Sequence, residues 1–169
     1  MLLKEYFSNI GKDFVNHKFS GISFNSNEIK KGYIFFAIRG NKVDGKKFIN
    51  EAIKNGARTI ISDIKYEGYK KNILFLRSSN TRKLLSETAS RIYNKKPKNL
   101  IAVTGTNGKS SIASFFFQIL KLNKKKVASI GTLGINLNSL SLNTSNTTID
   151  PITLNKTLHE DCLLYTSDA

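Results

Sequence analysis

The feature that most constrains this chain is a glycine-containing segment, Gly105–Ser110, that lies between two apolar runs. Leu100–Val103 before it is typical of a short buried strand, and Ile112–Leu122 after it is typical of an apolar helix. Residues 126–130 form the next short apolar run and predict a second strand. A strand, a glycine-rich turn, a helix and a strand in that order predict a βαβ unit, which belongs to the α/β class of folds.

The same segment has the residue types that bind phosphate. Small residues let backbone N–H groups converge on phosphate oxygens, and a helix N-terminus behind them favours anions. Gly105 and Gly108 would form the turn. Lys109 would reach the β- and γ-phosphates of a nucleotide, and the hydroxyl of Ser110 would hold Mg²⁺. The common G-x-x-x-x-G-K-[ST] pattern is incomplete because Val103 replaces its first glycine, so an ordinary βα turn with a solvated lysine stays the alternative.

The first half of the chain shows the same alternation of strands and helices. Strands are predicted over 31–38, 58–63 and 72–77, and helices over 48–57 and 80–93. Asn80 is the predicted cap of the second helix. Residues 94–99 are polar and contain Pro97, which indicates a linker. We therefore expect a first domain over residues 1–97 and a second over residues 98–160.

The composition of the 169 residues is that of a globular protein, with 40% hydrophobic and 23% charged residues. No apolar run reaches the roughly 18 residues that span a bilayer, and the first ten residues lack the apolar stretch of a signal peptide. The single cysteine, Cys162, predicts neither an internal disulfide nor a cysteine zinc site, so we expect a cytoplasmic protein. His17 and His159 lack acidic neighbours at ligand spacing and are interpreted as surface residues.

The charge of the chain is strongly positive. Lysine and arginine number 27 against 12 acidic residues, which gives a net charge of +15. Such a balance is typical of proteins with anionic partners, so a basic module that binds RNA or DNA without catalysis is one alternative. The basic residues are spread along the chain and the aromatic residues lie in apolar runs, whereas nucleic-acid binding favours clusters of both. We therefore interpret the charge as a bias of composition.

The sequence T-G-T-N-G-K-S-S at 104–111 resembles the ATP loop of the Mur ligase family, which builds the peptide stem of peptidoglycan. That family has a shortened loop, so the missing glycine is expected there. Residues 24–45, 129–134 and 145–158 are similar to the branch that adds the third amino acid. The resemblance implies a small N-terminal α/β domain that binds UDP-muramoyl substrate. It is followed by the start of a P-loop, parallel-sheet ATPase domain that is truncated here.

The resemblance also implies roles for particular residues. The family's ATP-binding residues correspond to Gly105, Thr106, Asn107, Gly108, Lys109, Ser110 and Ser111, with Lys109 catalytic and Ser110 holding Mg²⁺. The residues implied to contact the UDP-muramoyl substrate are Phe24, Ser26, Asn41, Lys42, Val43, Asn146, Thr147 and Thr148. Asn25 and Asn27 stand where the family often has aspartate and arginine, so contacts of those two residues are not implied.

The reaction implied by the resemblance is ATP-dependent formation of an amide bond through an acyl phosphate. Its partners would be UDP-N-acetylmuramoyl-L-Ala-D-Glu and an amino acid, meso-diaminopimelate in preference to lysine. A cytoplasmic monomer without nucleic-acid or membrane partners is expected. The family's other functional residues would lie downstream, so the chain is expected to be inactive alone. Residues 161–169 are interpreted as a doubtful tail. The alternatives are another Mur-type ligase or folylpolyglutamate synthase, but the stretches at 131–134 and 146–151 favour neither.

Overall fold

The computed structural model describes residues 1–7, 10–40, 43–138, 141–142 and 149–166, with side chains as far as residue 160 except that of Leu142. The chain divides into two compact units, Met1–Ile92 and Tyr93–Ala169. Each unit has a sheet of its own. Among the described residues, no helix combines the length and the apolar character that crossing a membrane requires.

The first unit contains a five-stranded sheet and three α-helices. Its helices are α1 (Leu3–Tyr6), α2 (Ile49–Lys54) and α3 (Thr81–Ile92). Its strands are β1 (Gly21–Ser23), β2 (Tyr33–Phe36), β3 (Thr59–Ser62), β4 (Gly68–Lys70) and β5 (Ile73–Arg77). The strands lie in the order β1-β2-β3-β5-β4, and only the last pair, β4 with β5, is antiparallel. The α/β class predicted from the sequence is confirmed, and the sheet of this unit is mainly parallel.

The core of this unit covers both faces of the parallel strands. On one face, Phe35 of β2 and Ile60 of β3 pack with Ala52 of α2 in a buried cluster. Ile34 and Phe36, which alternate with Phe35 along β2, are also fully buried. Both faces of this strand are therefore covered, which explains its unbroken apolar run in the sequence.

The three strands and two helices predicted for this half are confirmed, with shorter bounds. The side chain of Asn80 accepts a hydrogen bond from the backbone N–H of Lys83 at 2.9 Å, so the predicted cap of α3 is present. Before α2, a 3-10 turn covers Gly45–Phe48, and the α-helical part begins only at Ile49. The apolar face of α2 packs through Ala52, which is fully buried.

The loop after β2 is closed by a close approach of its two ends. The N–H of Gly45 donates to the carbonyl oxygen of Ile38 at 2.9 Å. A Cβ atom on Gly45 would lie 2.6 Å from that oxygen and 2.7 Å from the nitrogen of the same residue. Only glycine fits at this position, so Gly45 determines how the loop returns to the sheet.

The second unit contains two α-helices and a small antiparallel sheet. Its helices are α4 (Lys109–Leu122) and α5 (Pro151–Thr166). Its strands are β6 (Ser129–Gly131), β7 (Gly134–Asn136) and β8 (Ser141–Leu142), in that order in the sheet. Helix α5 begins at Pro151, and the carboxylate of Asp150 accepts hydrogen bonds from the N–H groups of Ile152 and Thr153 at 2.9 and 3.0 Å.

The strand predicted over Leu100–Val103 is wrong, because this segment has no strand structure. Leu100 and Ile101 are 73% and 63% exposed. The predicted strand over 126–130 is shortened to β6 and pairs antiparallel with β7, so the described residues contain no parallel βαβ unit here. An apolar strand of a parallel sheet needs neighbours that bury both of its faces, and the described part of this unit supplies none to Leu100–Val103.

Helix α4 carries an apolar surface that the described residues leave uncovered. Phe115 and Phe116 of this helix are 62% and 44% exposed. Ile112, Ile119 and Leu122 of the same helix are exposed as well. The apolar character that predicted the helix is therefore present, but the packing that usually accompanies it is not.

Candidate functional site

The segment between Gly105 and Ser110 forms a tight turn that leads directly into α4. Gly108 is the residue before the helix, and its φ of 77° and ψ of −5° lie in the left-handed region. A Cβ atom there would meet nothing within 4 Å, so the backbone conformation alone favours glycine. The first residue of α4 is Lys109. The sequence placed this turn at a helix N-terminus, and the structure confirms that position.

The first turn of α4 presents backbone N–H groups without a capping side chain. Gly108 has no side chain to accept them, and the first hydrogen bond of the helix runs from the N–H of Ile112 to the carbonyl oxygen of Gly108 at 2.9 Å. The N–H groups of Lys109, Ser110 and Ser111 precede that bond and have no helical acceptor. Such a cluster of donors at the positive end of a helix is suited to an anion.

Lys109 lies over the turn rather than extending away from it. Its Nζ donates to the carbonyl oxygen of Gly105 and to that of Thr106, the latter at 3.2 Å. The ammonium group is thereby held beside the backbone that would surround a phosphate. A positive charge at this point is what a polyphosphate ligand requires.

Ser110 is linked to a second part of the unit. Its Oγ lies 3.0 Å from Oγ1 of Thr132, in the turn between β6 and β7. Sequence reasoning assigned no role to Thr132, although residues 129–134 were among the stretches that resembled the family. A hydrogen bond between positions 22 residues apart leaves no local pattern, so the sequence carried no direct signal for it.

A cavity of about 310 Å³ lies beside this hydroxyl pair, within the second unit. It lies between α4 and the β6–β7 hairpin. Its lining includes both hydroxyl residues together with Ser114, Phe117, Gln118 and Asn136. Small polar side chains beside an aromatic ring make this a pocket of mixed character, next to the end of the turn that carries Ser110.

The residues of the turn fit a magnesium nucleotide. Magnesium is usually held by few protein oxygens together with the phosphates of its substrate. Ser110 offers one such oxygen at the start of α4, beside the free donors and the ammonium of Lys109. The described residues contain no group of three or more His, Cys, Asp or Glu that could hold a metal ion. The fit is therefore to a metal carried by phosphate oxygens rather than to a metal site built from protein ligands alone.

In the first unit, three of the predicted substrate residues lie in segments that follow β1 and β2. Phe24 directly follows β1, Ser26 begins the next 3-10 turn, and Val43 lies in the loop after β2. Because β1 and β2 are parallel neighbours, their carboxyl ends meet at the same edge. Phe24 and Val43 are 38% and 48% exposed and so are accessible to a ligand.

Ser26 differs from its two predicted partners because it is buried. Its hydroxyl donates to Oε2 of Glu51 at 2.8 Å, and its carbonyl oxygen accepts from Nδ2 of Asn55 at 2.9 Å. These bonds connect the turn after β1 to α2. Ser26 thus fixes the position of its turn, and only the remaining lone pairs of its oxygen are available to a ligand.

Asn25 and Asn27 stabilise the same turn. The side-chain oxygen of Asn25 accepts from the N–H of Asn27 at 3.1 Å, and its Nδ2 donates to Oε1 of Glu28 at 3.2 Å. Asn25 therefore performs the local capping role that an aspartate would have at this position.

A charged group lies at the same edge of the sheet. Nζ of Lys46 lies 2.9 Å from Oδ1 of Asp63, after β3, and 3.4 Å from Oδ2 of Asp44. The N–H of Lys46 donates to Asp44, and this bond lowers the pKa of the carboxyl group. The hydrogen bond to Asp63 raises the pKa of Lys46. These pairs tie the loop after β2 to the neighbouring strand β3.

Five predicted substrate residues lie outside the described residues. They are Asn41, Lys42, Asn146, Thr147 and Thr148. The structure places Phe24 and Ser26 directly after β1, Val43 in the loop after β2, and residues 105–111 around the turn before α4.

The fold and the site together define the class of the protein. It is a two-unit α/β protein in which a parallel sheet is followed by a glycine turn at a helix N-terminus. Residues 18–93 match the Mur ligase family, catalytic domain, and residues 103–163 match the Mur ligase middle domain. The chain belongs to the Mur ligase family.

Curated relatives agree with this assignment. The chain is 41% identical over 164 residues to UDP-N-acetylmuramoyl-L-alanyl-D-glutamate–2,6-diaminopimelate ligase of Rickettsia prowazekii, and the match covers 93% of this chain and 34% of the relative. Ligase 2 of the same name from Clostridium acetobutylicum is 32% identical over 169 residues, covering 95% of this chain and 35% of the relative. The chain thus spans about a third of the length of these relatives.

Solved structures give the same result. One of a UDP-N-acetylmuramoyl-L-alanyl-D-glutamate–2,6-diaminopimelate ligase has a TM-score of 0.72 and 26% identity, covering 97% of this chain and 34% of that protein. The MurF ligase of Thermotoga maritima in complex with ADP has a TM-score of 0.55 and 25% identity, covering 79% of this chain and 28% of that one.

Proposed function

We propose that this chain is the N-terminal part of an ATP-dependent ligase of peptidoglycan synthesis. The reaction joins meso-diaminopimelate to UDP-N-acetylmuramoyl-L-Ala-D-Glu. The observation that carries the proposal is the turn before α4, where free N–H donors, the ammonium of Lys109 and the hydroxyl of Ser110 lie together. The names of the curated relatives support the choice of substrates.

The two units have different roles in this proposal. The carboxyl edge of the first sheet, with Phe24 and Val43 exposed, holds the UDP-muramoyl part of the substrate. The turn before α4 holds the phosphates of ATP. Asn41 and Lys42 of the first unit, and Asn146, Thr147 and Thr148 of the second, complete the contacts to the UDP-muramoyl peptide.

The chemistry requires activation of a carboxylate. Expulsion of an oxide ion from a carboxylate is unfavourable, so the substrate carboxylate first attacks the γ-phosphate of ATP, which forms an acyl phosphate and releases ADP. The neutral amino group of diaminopimelate then attacks the acyl carbon, and phosphate leaves as the amine loses a proton. Lys109 and the N–H groups at the start of α4 neutralise the charge that develops on the transferred phosphoryl group. When bound, Mg²⁺ supplies further charge neutralisation at the phosphates, and Ser110 would hold it.

The chain by itself is proposed to be inactive. Its relatives are about three times as long. We place the site for the incoming amino acid in the part of them that this chain does not span. We expect no ADP release from the 169-residue chain with ATP, UDP-N-acetylmuramoyl-L-Ala-D-Glu and diaminopimelate. ADP release that requires both the UDP substrate and the amino acid would contradict this expectation.

The substrate assignment is tested on the complete protein that contains this chain. We expect ATP hydrolysis coupled to UDP-N-acetylmuramoyl-L-Ala-D-Glu and diaminopimelate, with lower activity when lysine replaces diaminopimelate. The controls are the tripeptide substrate with D-Ala-D-Ala, and a folate with glutamate. Activity with either control pair and none with diaminopimelate or lysine would reassign the protein to another branch of the family.

A further inference from the structure

We infer that Thr132 is a positioning residue that orients the hydroxyl of Ser110 toward the magnesium ion of a bound nucleotide. This inference rests on the proposed function, because it concerns the same turn. The inference is based on the distance of 3.0 Å between Oγ of Ser110 and Oγ1 of Thr132. Thr132 does not itself contact the phosphates in this assignment.

The argument starts from the hydrogen-bonding capacity of a serine hydroxyl. It has one hydrogen and two lone pairs on its oxygen. To ligate a cation, the oxygen must direct a lone pair at the metal, and the hydrogen must then point elsewhere. An acceptor on the opposite side fixes that orientation, as outer partners do for many metal ligands. Oγ1 of Thr132 lies at hydrogen-bond distance, and its lone pairs can accept the hydrogen of Ser110.

The position of Thr132 is fixed by a short hairpin. Gly131 of β6 pairs with Gly134 of β7, so Thr132 and Leu133 are the two residues of the connecting turn. A two-residue turn allows few conformations, and Gly134 takes a φ of 93°. Helix α4 also contacts β6 directly. The acceptor is therefore held by two strands and a helix rather than by a free loop.

The hydrogen bond between Ser110 and Thr132 is not required to satisfy buried polar groups. Ser110 and Thr132 are both exposed, so water can replace either hydroxyl when the other is absent. A bond of this kind contributes little to folding, since its net effect is the difference from hydration. Its effect is instead expected on the ion that Ser110 holds.

The test compares two variants of Thr132 in the 169-residue chain. Thr132→Val has nearly the same shape without the hydroxyl, and Thr132→Ser keeps the hydroxyl. ATP affinity is measured by calorimetry with excess Mg²⁺ and again with a chelator. Loss of an outer partner typically costs about 10–100-fold in metal affinity. We expect a loss of that order in the Mg²⁺-dependent gain of ATP affinity for Thr132→Val, and close to none for Thr132→Ser.

Affinity for ATP in the chelator separates positioning from structural damage. A positioning role leaves it unchanged in Thr132→Val, whereas damage to the turn lowers it with and without the metal. An unchanged Mg²⁺-dependent gain in Thr132→Val, or an equal loss in Thr132→Ser, overturns the inference while the proposed function stands. Absence of Mg²⁺-dependent ATP binding by the unchanged chain contradicts the proposed function and this inference with it.

Discussion

At the scale of single residues, Lys109 shows how a side chain can be placed before its ligand arrives. Its Nζ donates to two carbonyl oxygens of the turn, Gly105 and Thr106, so the ammonium is already beside the donors that begin α4. The pattern of glycine, lysine and serine predicts from the sequence that Lys109 reaches the phosphates of a nucleotide, and that role stays a prediction.

Replacement of Lys109 is expected to lower turnover of the complete ligase strongly. Loss of one preorganised donor to a developing charge typically costs on the order of 10²–10³ in kcat. Lys109→Met should be as damaging as Lys109→Ala, because charge rather than size matters. Lys109→Arg should restore little, since a planar guanidinium does not replace a compact ammonium. Phosphate release measured beside titration of the UDP substrate checks this, and binding of that substrate should be unchanged.

Near-normal turnover of Lys109→Met would contradict the assignment of the turn to ATP. The alternative from the sequence, an ordinary βα turn with a solvated lysine, would then explain Gly105–Ser110. Retained binding of the UDP substrate serves as the control for folding in each variant.

The environment of His17 differs from the one that the sequence predicted. It was interpreted as a surface residue, but it is partly buried and both ring nitrogens have partners. Nδ1 lies 3.0 Å from the hydroxyl of Tyr69, and Nε2 lies 2.9 Å from Oγ1 of Thr59. Both partners are more than forty positions away, so no local pattern could indicate them. Burial disfavours the imidazolium ion and lowers the pKa of His17 below its ordinary value of 6.5.

The lowered pKa of His17 predicts that acid destabilises the first unit. Above about pH 6.5 the residue is neutral in both the folded and the unfolded chain, so it adds no pH dependence. As the pH falls below that value, the unfolded chain binds a proton first, and the free energy of unfolding decreases until the folded pKa is passed. Urea unfolding between about pH 7.5 and pH 5.5 should show a smaller decrease for His17→Gln than for the unchanged chain. Equal decreases would mean that His17 does not contribute.

At the scale of elements, a strand predicted from the sequence is present where other elements of the described chain pack against it. The strands β2, β3 and β5 were predicted from apolar runs and are confirmed, because each has two paired neighbours in the first sheet. Leu100–Val103 has the same kind of run but forms no strand. An apolar run indicates that a segment is stabilised by burial. Whether it is buried depends on the structure around it.

The loop after β2 depends on one glycine, so its replacement is expected to disturb the substrate edge. In Gly45→Ala the new Cβ would lie 2.6 Å from the carbonyl oxygen of Ile38, and backbone atoms must move. We expect weaker binding of the UDP substrate and a lower melting temperature. Calorimetry and thermal unfolding followed by circular dichroism check both.

Gly11→Ala is the matched control for that substitution. Gly11 has a φ of −56°, and its new Cβ would approach only the ring of Phe14, at 3.2 Å. It should therefore bind the UDP substrate like the unchanged chain. Equal effects of the two substitutions would show that the close approach at Gly45 does not determine the loop.

At the scale of the whole molecule, the two units differ in how much of their apolar surface is covered. The first has a sheet with both faces of β2 buried, whereas the second exposes the apolar face of α4. We therefore expect a fragment of residues 1–97 to fold alone and to keep weak affinity for UDP-N-acetylmuramoyl-L-Ala-D-Glu. Calorimetry at millimolar ligand tests this. No heat from a fragment that circular dichroism shows to be folded would contradict it.

The net charge of +15 is also a property of the whole molecule, and by itself it does not indicate the family. In the proposed function, the anionic ligands are the phosphates of ATP and of the UDP substrate. The remaining positive charge is interpreted as a bias of composition.

The uncovered face of α4 has a consequence for synthesis on the ribosome. Every strand of the first sheet lies within Met1–Ile92, so that unit can close while later residues are still being added. Helix α4 emerges next, with Phe115, Phe116 and Leu122 exposed and with no cover from the described residues. During that interval the nascent chain displays an apolar stripe of the kind that chaperones bind and proteases attack. Helix α4 therefore depends on timely completion of the structure around it.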